Sequence, residues 1–228
     1  MSRSELKAMS REQIKGNIAT IFCYAILITL CTSIVGGIFG AADNKTLSLV
    51  GTIVVDLMAF CFAFSVIIAF MGITNGRKAM LADLGEGFKR YNDSIPVMFL
   101  MTVYIFLWSL LFVIPGIIKG YSYYAAPYIL AANPGMGANN AITKSKEIMN
   151  GHKLDLFVLQ LSFIPWYFLC GLTLGLAAIY VIPYVETTTA NFMKDIGAYG
   201  EDGTVVESAP AASETMENDT SDDEGPIK

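Results

Sequence analysis

The sequence predicts an all-α membrane protein: a polytopic helical bundle of six spans in three hairpins, with short amphipathic helices on the cytoplasmic side. Three observations lead there. Hydrophobic residues make up 54% of the 228 and charged residues only 15%, against about 25% charged in soluble domains, so the chain lacks the polar surface to cover a water-soluble globule. The apolar residues are gathered into four long stretches. Lysines and arginines cluster between those stretches in a pattern that sets sidedness.

Each stretch is judged by length, because the hydrocarbon core is about 30 Å thick and a helix rises about 1.5 Å per residue. The first, at 17–42, follows a charged lead-in whose segment Glu5 to Lys15 reads as an amphipathic helix. The second, at 47–73, ends at Asn75-Gly76-Arg77-Lys78. The third covers 95–132; at roughly 57 Å it is almost twice what a span needs. Pro115-Gly116 interrupts it, so a hairpin of spans 95–114 and 117–132 is expected. The fourth, from Leu154 to Phe192, is broken between Gly171 and Gly175, giving spans 154–170 and 172–192. The 117–132 segment is short, polar at one end and carries Pro127, as a tilted, broken or re-entrant segment would.

Orientation follows from basic residues near the span ends. With both termini cytoplasmic, twelve of the fourteen Lys and Arg before residue 200 lie inside, and only Lys45 and Lys119 lie outside. Residues 1–195 form the membrane domain, and 196–228 are expected to be an acidic, disordered cytoplasmic tail. From Glu201 to Lys228 there are nine acids and one base, too little apolar surface to fold. Two further segments, 79–90 and 138–150, place apolar residues on one helical face. They are expected to lie in the inner interface, apolar side down, and with the lead-in they suggest three repeats of short helix plus hairpin.

Several blocks then carry a resemblance. They are the lead-in Ser2-Arg-Ser-Glu-Leu-Lys-Ala8 with Ile14-Lys-Gly-Asn17, and Phe106-Leu-Trp-Ser-Leu-Leu-Phe-Val-Ile-Pro-Gly-Ile-Ile-Lys-Gly-Tyr-Ser-Tyr123, the most specific. Pro127-Tyr-Ile-Leu-Ala131, Ala141-Ile-Thr-Lys-Ser-Lys-Glu-Ile-Met-Asn-Gly-His152 and Pro183-Tyr184 follow. Over about residues 1–195 the chain resembles the integral-membrane family catalogued as domain of unknown function 975, found mainly in Firmicutes-type bacteria. The resemblance implies a bacterial plasma-membrane protein and carries over no catalytic residue.

Ionisable residues inside spans cost roughly 2.5–3.5 kcal/mol at a helix centre and are therefore candidates for function. Asp56 in span two and Glu186 in span six are the two carboxylates. Each has a bland reading as an interhelical polar contact and a sharper one as a proton, ion or substrate site. Lys119 is expected to snorkel. Tyr121, Tyr124 and Tyr128 crowd the 117–132 segment, either as an interfacial aromatic belt or as the lining of a groove for a lipid or peptide. Cys23, Cys31, Cys61 and Cys170 sit within apolar runs, away from metal-ligand spacing, and His152 has no second ligand nearby. No catalytic triad, zinc-binding His-Glu-x-x-His or phosphate-binding glycine loop is present. The expectation is a non-enzymatic binding or accessory protein without cofactor or metal, in contact with the lipid bilayer and with a membrane-protein or peptide partner rather than nucleic acid. The alternative is a small transporter using Asp56 and Glu186.

Overall fold

The computed structural model describes residues 2–41 and 44–200, and among these every regular element is helical. Helix α1 (Arg3–Ile14) starts in a capping box. Ser2 Oγ accepts the Glu5 N–H at 3.3 Å, and the Glu5 carboxylate accepts the Ser2 N–H at 2.8 Å. That second bond holds the exposed Glu5 carboxyl below its ordinary range. Leu6, Ser10 and Ile14, spaced four apart, form the buried stripe of α1.

Helices α2 (Ile18–Gly40) and α3 (Lys45–Thr74) coincide with the first two expected spans and pack on each other. Asn17, at the start of α2, ties α1 to the segment that follows α3, accepting the Ala79 N–H and donating to the Gln13 carbonyl, each at 3.0 Å. Between residues 79 and 90 the expected continuous amphipathic helix does not form. A 3-10 turn at Leu81–Gly85 leads into α4 (Glu86–Lys89), with Met80 and Leu81 left exposed. The reason is local: a Cβ at Gly87 would sit 2.0 Å from the Cys61 carbonyl oxygen, so the backbone lies directly on α3. Ser65 Oγ accepts the Gly87 N–H there at 2.8 Å.

Helix α5 (Tyr91–Leu111) ends three residues earlier than the expected break. Phe112 is extended (φ −156°, ψ 136°), and α6 (Val113–Tyr123) runs straight through Pro115-Gly116. Proline is tolerated there because a first helical turn has no intrahelical partner for the missing N–H. α6 folds back onto α5, with Gly116 set directly against Ser109. The expected 117–132 span is in fact two helices, since Pro127 restarts the chain as α7 (Ala126–Ala132). Arg90 closes α7, donating to the Ala131 carbonyl at 3.0 Å.

Helix α8 (Ala138–Ile148) buries Ala141, Ile142 and Ser145. α8 packs on α5, α6 and α7, and α1 on α11, so both short helices lay their apolar stripes on the protein itself and not on an interface. The expected 154–170 span bends at Ser162-Phe163 into α9 (Lys153–Leu161) and α10 (Ile164–Leu172), with Pro165 in the first turn of α10. The turn beyond carries Leu174 at φ 50° and Gly175 at φ +90°, and α11 (Ala178–Asp195) follows.

Four helical segments among the described residues are long and apolar enough to cross a membrane: Ile18–Gly40, Lys45–Thr74, Tyr91–Leu111 and Lys153–Leu172. Their outer surfaces stay apolar, with Leu110, Phe168 and Leu172 each more than 70% exposed. That exposure is untenable in water and compatible with a membrane location. The packed core lies elsewhere, around the C-terminal half of α11, where Leu6, Ile73, Ile129, Met149 and Tyr184 are all fully buried. It extends past the expected boundary at 195, because Ala198 and Tyr199 are buried too. The rest of the acidic tail lies outside the described residues.

The α5–α6 contact yields a paired test. A Cβ at Gly116 would lie 2.9 Å from the Ser109 Cα, whereas one at Gly120 meets only Ile105 Cδ1 at 4.0 Å. Gly116→Ala should therefore destabilise the protein by roughly 1–3 kcal/mol through overpacking, with Gly120→Ala near neutral, as read by denaturant-induced unfolding in mild detergent.

Candidate functional site

Five helices converge on a cavity of about 540 Å³. α2 presents Ile21, Tyr24, Ala25 and Ile28, the three-four spacing of a single helical face. α3 adds Phe62, Val66 and Phe70, spaced four apart, with Ala59 and Ala63 on the same lining face. Alanines at facing positions on α2 and α3 leave volume that larger side chains would fill. Met98 and Met101 close the α5 side. The α6–α7 break supplies Tyr124, Pro127 and Tyr128, and α11 supplies Ile182 and Glu186.

The walls are almost wholly apolar, so the few polar groups define the chemistry. The Tyr24 hydroxyl is already engaged, donating to the Met80 carbonyl at 2.7 Å and lying 3.3 Å from Asp83 Oδ2. Asp83 is itself buried and held in place: its Oδ1 receives Arg77 Nη1 at 2.8 Å, and its Oδ2 receives the Met80 N–H at 2.9 Å. Glu186 differs. It is half-buried, lines the cavity, and has no hydrogen-bond or ion-pair partner among the described residues. Tyr124, Tyr128 and Tyr167 lie within electrostatic reach of it.

The expected candidates separate. Glu186, Tyr124 and Tyr128 come together at the cavity, the two tyrosines one turn apart. Tyr121 points away from it, donating to Gln160 Oε1 at 2.7 Å with its ring edge-on to Phe157. Lys119 sits over the Trp108 ring, 4.7 Å from its centre, as a cation on an aromatic face. Asp56 is exposed on α3, outside the cavity lining, so the two candidate carboxylates do not share one site.

Two features were not read from the sequence. One is Tyr24 with its Asp83–Arg77 support. The signal was available, because an acid and a base six residues apart in the segment after a span need partners once buried. The other is Tyr199, whose hydroxyl bonds the Ala190 carbonyl and the Thr74 hydroxyl, each at 2.8 Å. Burial pushes that phenol above its ordinary range, keeping it a donor. Its ring stacks on Tyr128, 6.1 Å between centres, and so backs the cavity wall.

Residues 110–199 match the model of the family described as protein of unknown function (DUF975), the family that the sequence blocks resemble. The matched stretch contains Tyr124, Tyr128 and Glu186 but not Tyr24 or the α2 and α3 walls. No curated protein and no solved structure matches the chain.

The Asp83 cluster can be tested directly. Asp83→Ala removes the acceptor of the part-buried Met80 N–H and leaves Arg77 without its carboxylate, though Arg77 is 42% exposed and water replaces part of that loss. The expected cost is about 1–3 kcal/mol, measured by unfolding, together with faster hydrogen exchange at residues 79–84.

Proposed function

We propose that this chain is a multi-pass protein of a bacterial cell membrane that binds an amphipathic molecule in its central cavity, with Glu186 meeting the polar end. The observation that carries the reading is a carboxyl without a protein partner facing a cavity of about 540 Å³ with apolar walls. A volume of about 300–1,000 Å³ with few polar groups is what small-molecule sites offer. An amine or other donor on the ligand would complete the carboxylate, and an alkyl or aromatic body would fill the space left by Ala25, Ala59 and Ala63. The role is one of binding, as an accessory protein of the membrane.

In this reading α6 with α7, and α11, complete the four long apolar segments to six crossings in three hairpins. Both termini then face the cytoplasm, because that arrangement keeps twelve basic residues inside and two outside. A transport role would draw on the same carboxylate and on the helix interruptions at Tyr124-Ala125 and Ser162-Phe163. Asp56 lends it no support, since it stands outside the cavity.

The test is binding of dodecylamine against dodecanol to the protein in lipid nanodiscs. Saturable binding with preference for the amine is expected, and Glu186→Gln should weaken amine binding by at least about tenfold, roughly 1.4 kcal/mol, while leaving the alcohol unaffected. Absence of saturable binding by either compound, or an amine preference that survives Glu186→Gln, would refute the proposal.

A further inference from the structure

A second polar feature lies away from the cavity, where α1 crosses the α9–α10 bend and α11. Arg3, Lys7 and Arg11 are spaced four apart and share one face of α1. Arg3 has a carboxylate, Asp155, at 3.9 Å. Lys7 and Arg11 have none among the described residues. Instead they stand over neighbouring rings of one aromatic cluster. Lys7 Nζ is 4.6 Å from the centre of Phe163, and the Arg11 guanidinium is 5.5 Å from that of Tyr184, with those two rings edge-on at 5.4 Å. Lys7 also donates to Ser162 Oγ at 2.7 Å.

Two like charges one turn apart repel each other. Burial first, and then Arg11, push the Lys7 ammonium below its ordinary value. The aromatic faces offset part of this repulsion, and an anion would offset the rest. What leads away from the pair decides which anion. α10 starts at Ile164, directly after the Ser162-Phe163 bend, and its Ile164, Tyr167, Phe168 and Leu172 are each more than half exposed. A cation pair at the head of an exposed apolar helix matches the two halves of a phospholipid.

We infer that Lys7, held in place by Ser162, and Arg11 form a binding site for the phosphate of an anionic phospholipid, whose acyl chains lie along α10. The site is separate from the cavity, and either assignment can stand without the other. A soluble phosphate would gain nothing from the α10 surface, so the lipid is the occupant.

Trp166 is the natural reporter, its ring being 5.8 Å from Tyr184 within the same cluster. The chain has two tryptophans, so Trp108→Phe leaves Trp166 as the sole emitter. This full-length variant is reconstituted in phosphatidylcholine vesicles containing a minor fraction of lipid with brominated chains. Brominated phosphatidylglycerol should quench Trp166 at a lower mole fraction than brominated phosphatidylcholine, by roughly thirtyfold if each of the two cations contributes as basic residues do at anionic surfaces. Lys7→Gln with Arg11→Gln should abolish that preference, and the charge-keeping exchange Lys7→Arg with Arg11→Lys should retain it. In the parent protein, 1 M salt should shrink the preference, which keeps the test decisive even where the double variant fails to fold. Equal quenching by the two lipids, or a preference that survives the neutral pair or high salt, overturns the site. Relief of quenching by millimolar inorganic phosphate would overturn it in favour of a soluble anion.

Discussion

The C-terminal half of α11 is enclosed by protein, and the rest of the molecule is arranged around that requirement. From Val185 to Met193 every residue except Glu186 is buried. The stretch is not apolar, since it includes Thr187, Thr188, Thr189 and Asn191. A polar group taken out of water needs a bonding partner. Thr188 and Thr189 turn back to the carbonyls one turn earlier, at 2.7 and 2.9 Å. Asn191 instead reaches α1, donating to Ser10 Oγ at 3.0 Å and Gln13 Oε1 at 2.7 Å. The N-terminal helix is thus drawn onto the bundle by a buried amide as well as by Leu6 and Ile14. Among the described residues the Tyr184 and Thr187 hydroxyls have no hydrogen-bond partner.

Glu186 is the exception that this enclosure creates. With its helical neighbours committed to α1 and α3, one face of α11 remains turned toward the cavity, and the single carboxylate lies on it. The α6–α7 break has a matching role. A continuous helix would present one stripe along its whole length, whereas the restart at Pro127 lets Tyr121 face Gln160 while Tyr124 and Tyr128 face the cavity. The cavity therefore depends on two departures from regular helix packing.

Much of this was legible from residue type and length. Apolar runs too long for one crossing had to break, and they do, near Pro115 and between Gly171 and Gly175. The position of the first break was misread because proline is a poor helix interior residue but an acceptable first-turn residue, so the chain turns at Phe112 instead. The 79–90 helix was misread because periodicity reports which faces are apolar and says nothing of how closely Gly87 must approach Cys61. The pairing of Glu186 with Tyr124 and Tyr128 joins residues about 60 positions apart, and no local pattern encodes it. Tyr199 escaped notice because it stands at the edge of a strongly charged segment, where composition argues for solvation.

That last residue alters how the end of the chain should be regarded. Tyr199 is clamped by Thr74 and Ala190 and stacked on Tyr128, whose other side lines the cavity. The segment carrying nine acids and one base begins two residues later. The charged terminus is therefore fastened, through one aromatic ring, to the back of the chamber. A tug on that segment would reach the cavity wall and the end of α3 through the same residue.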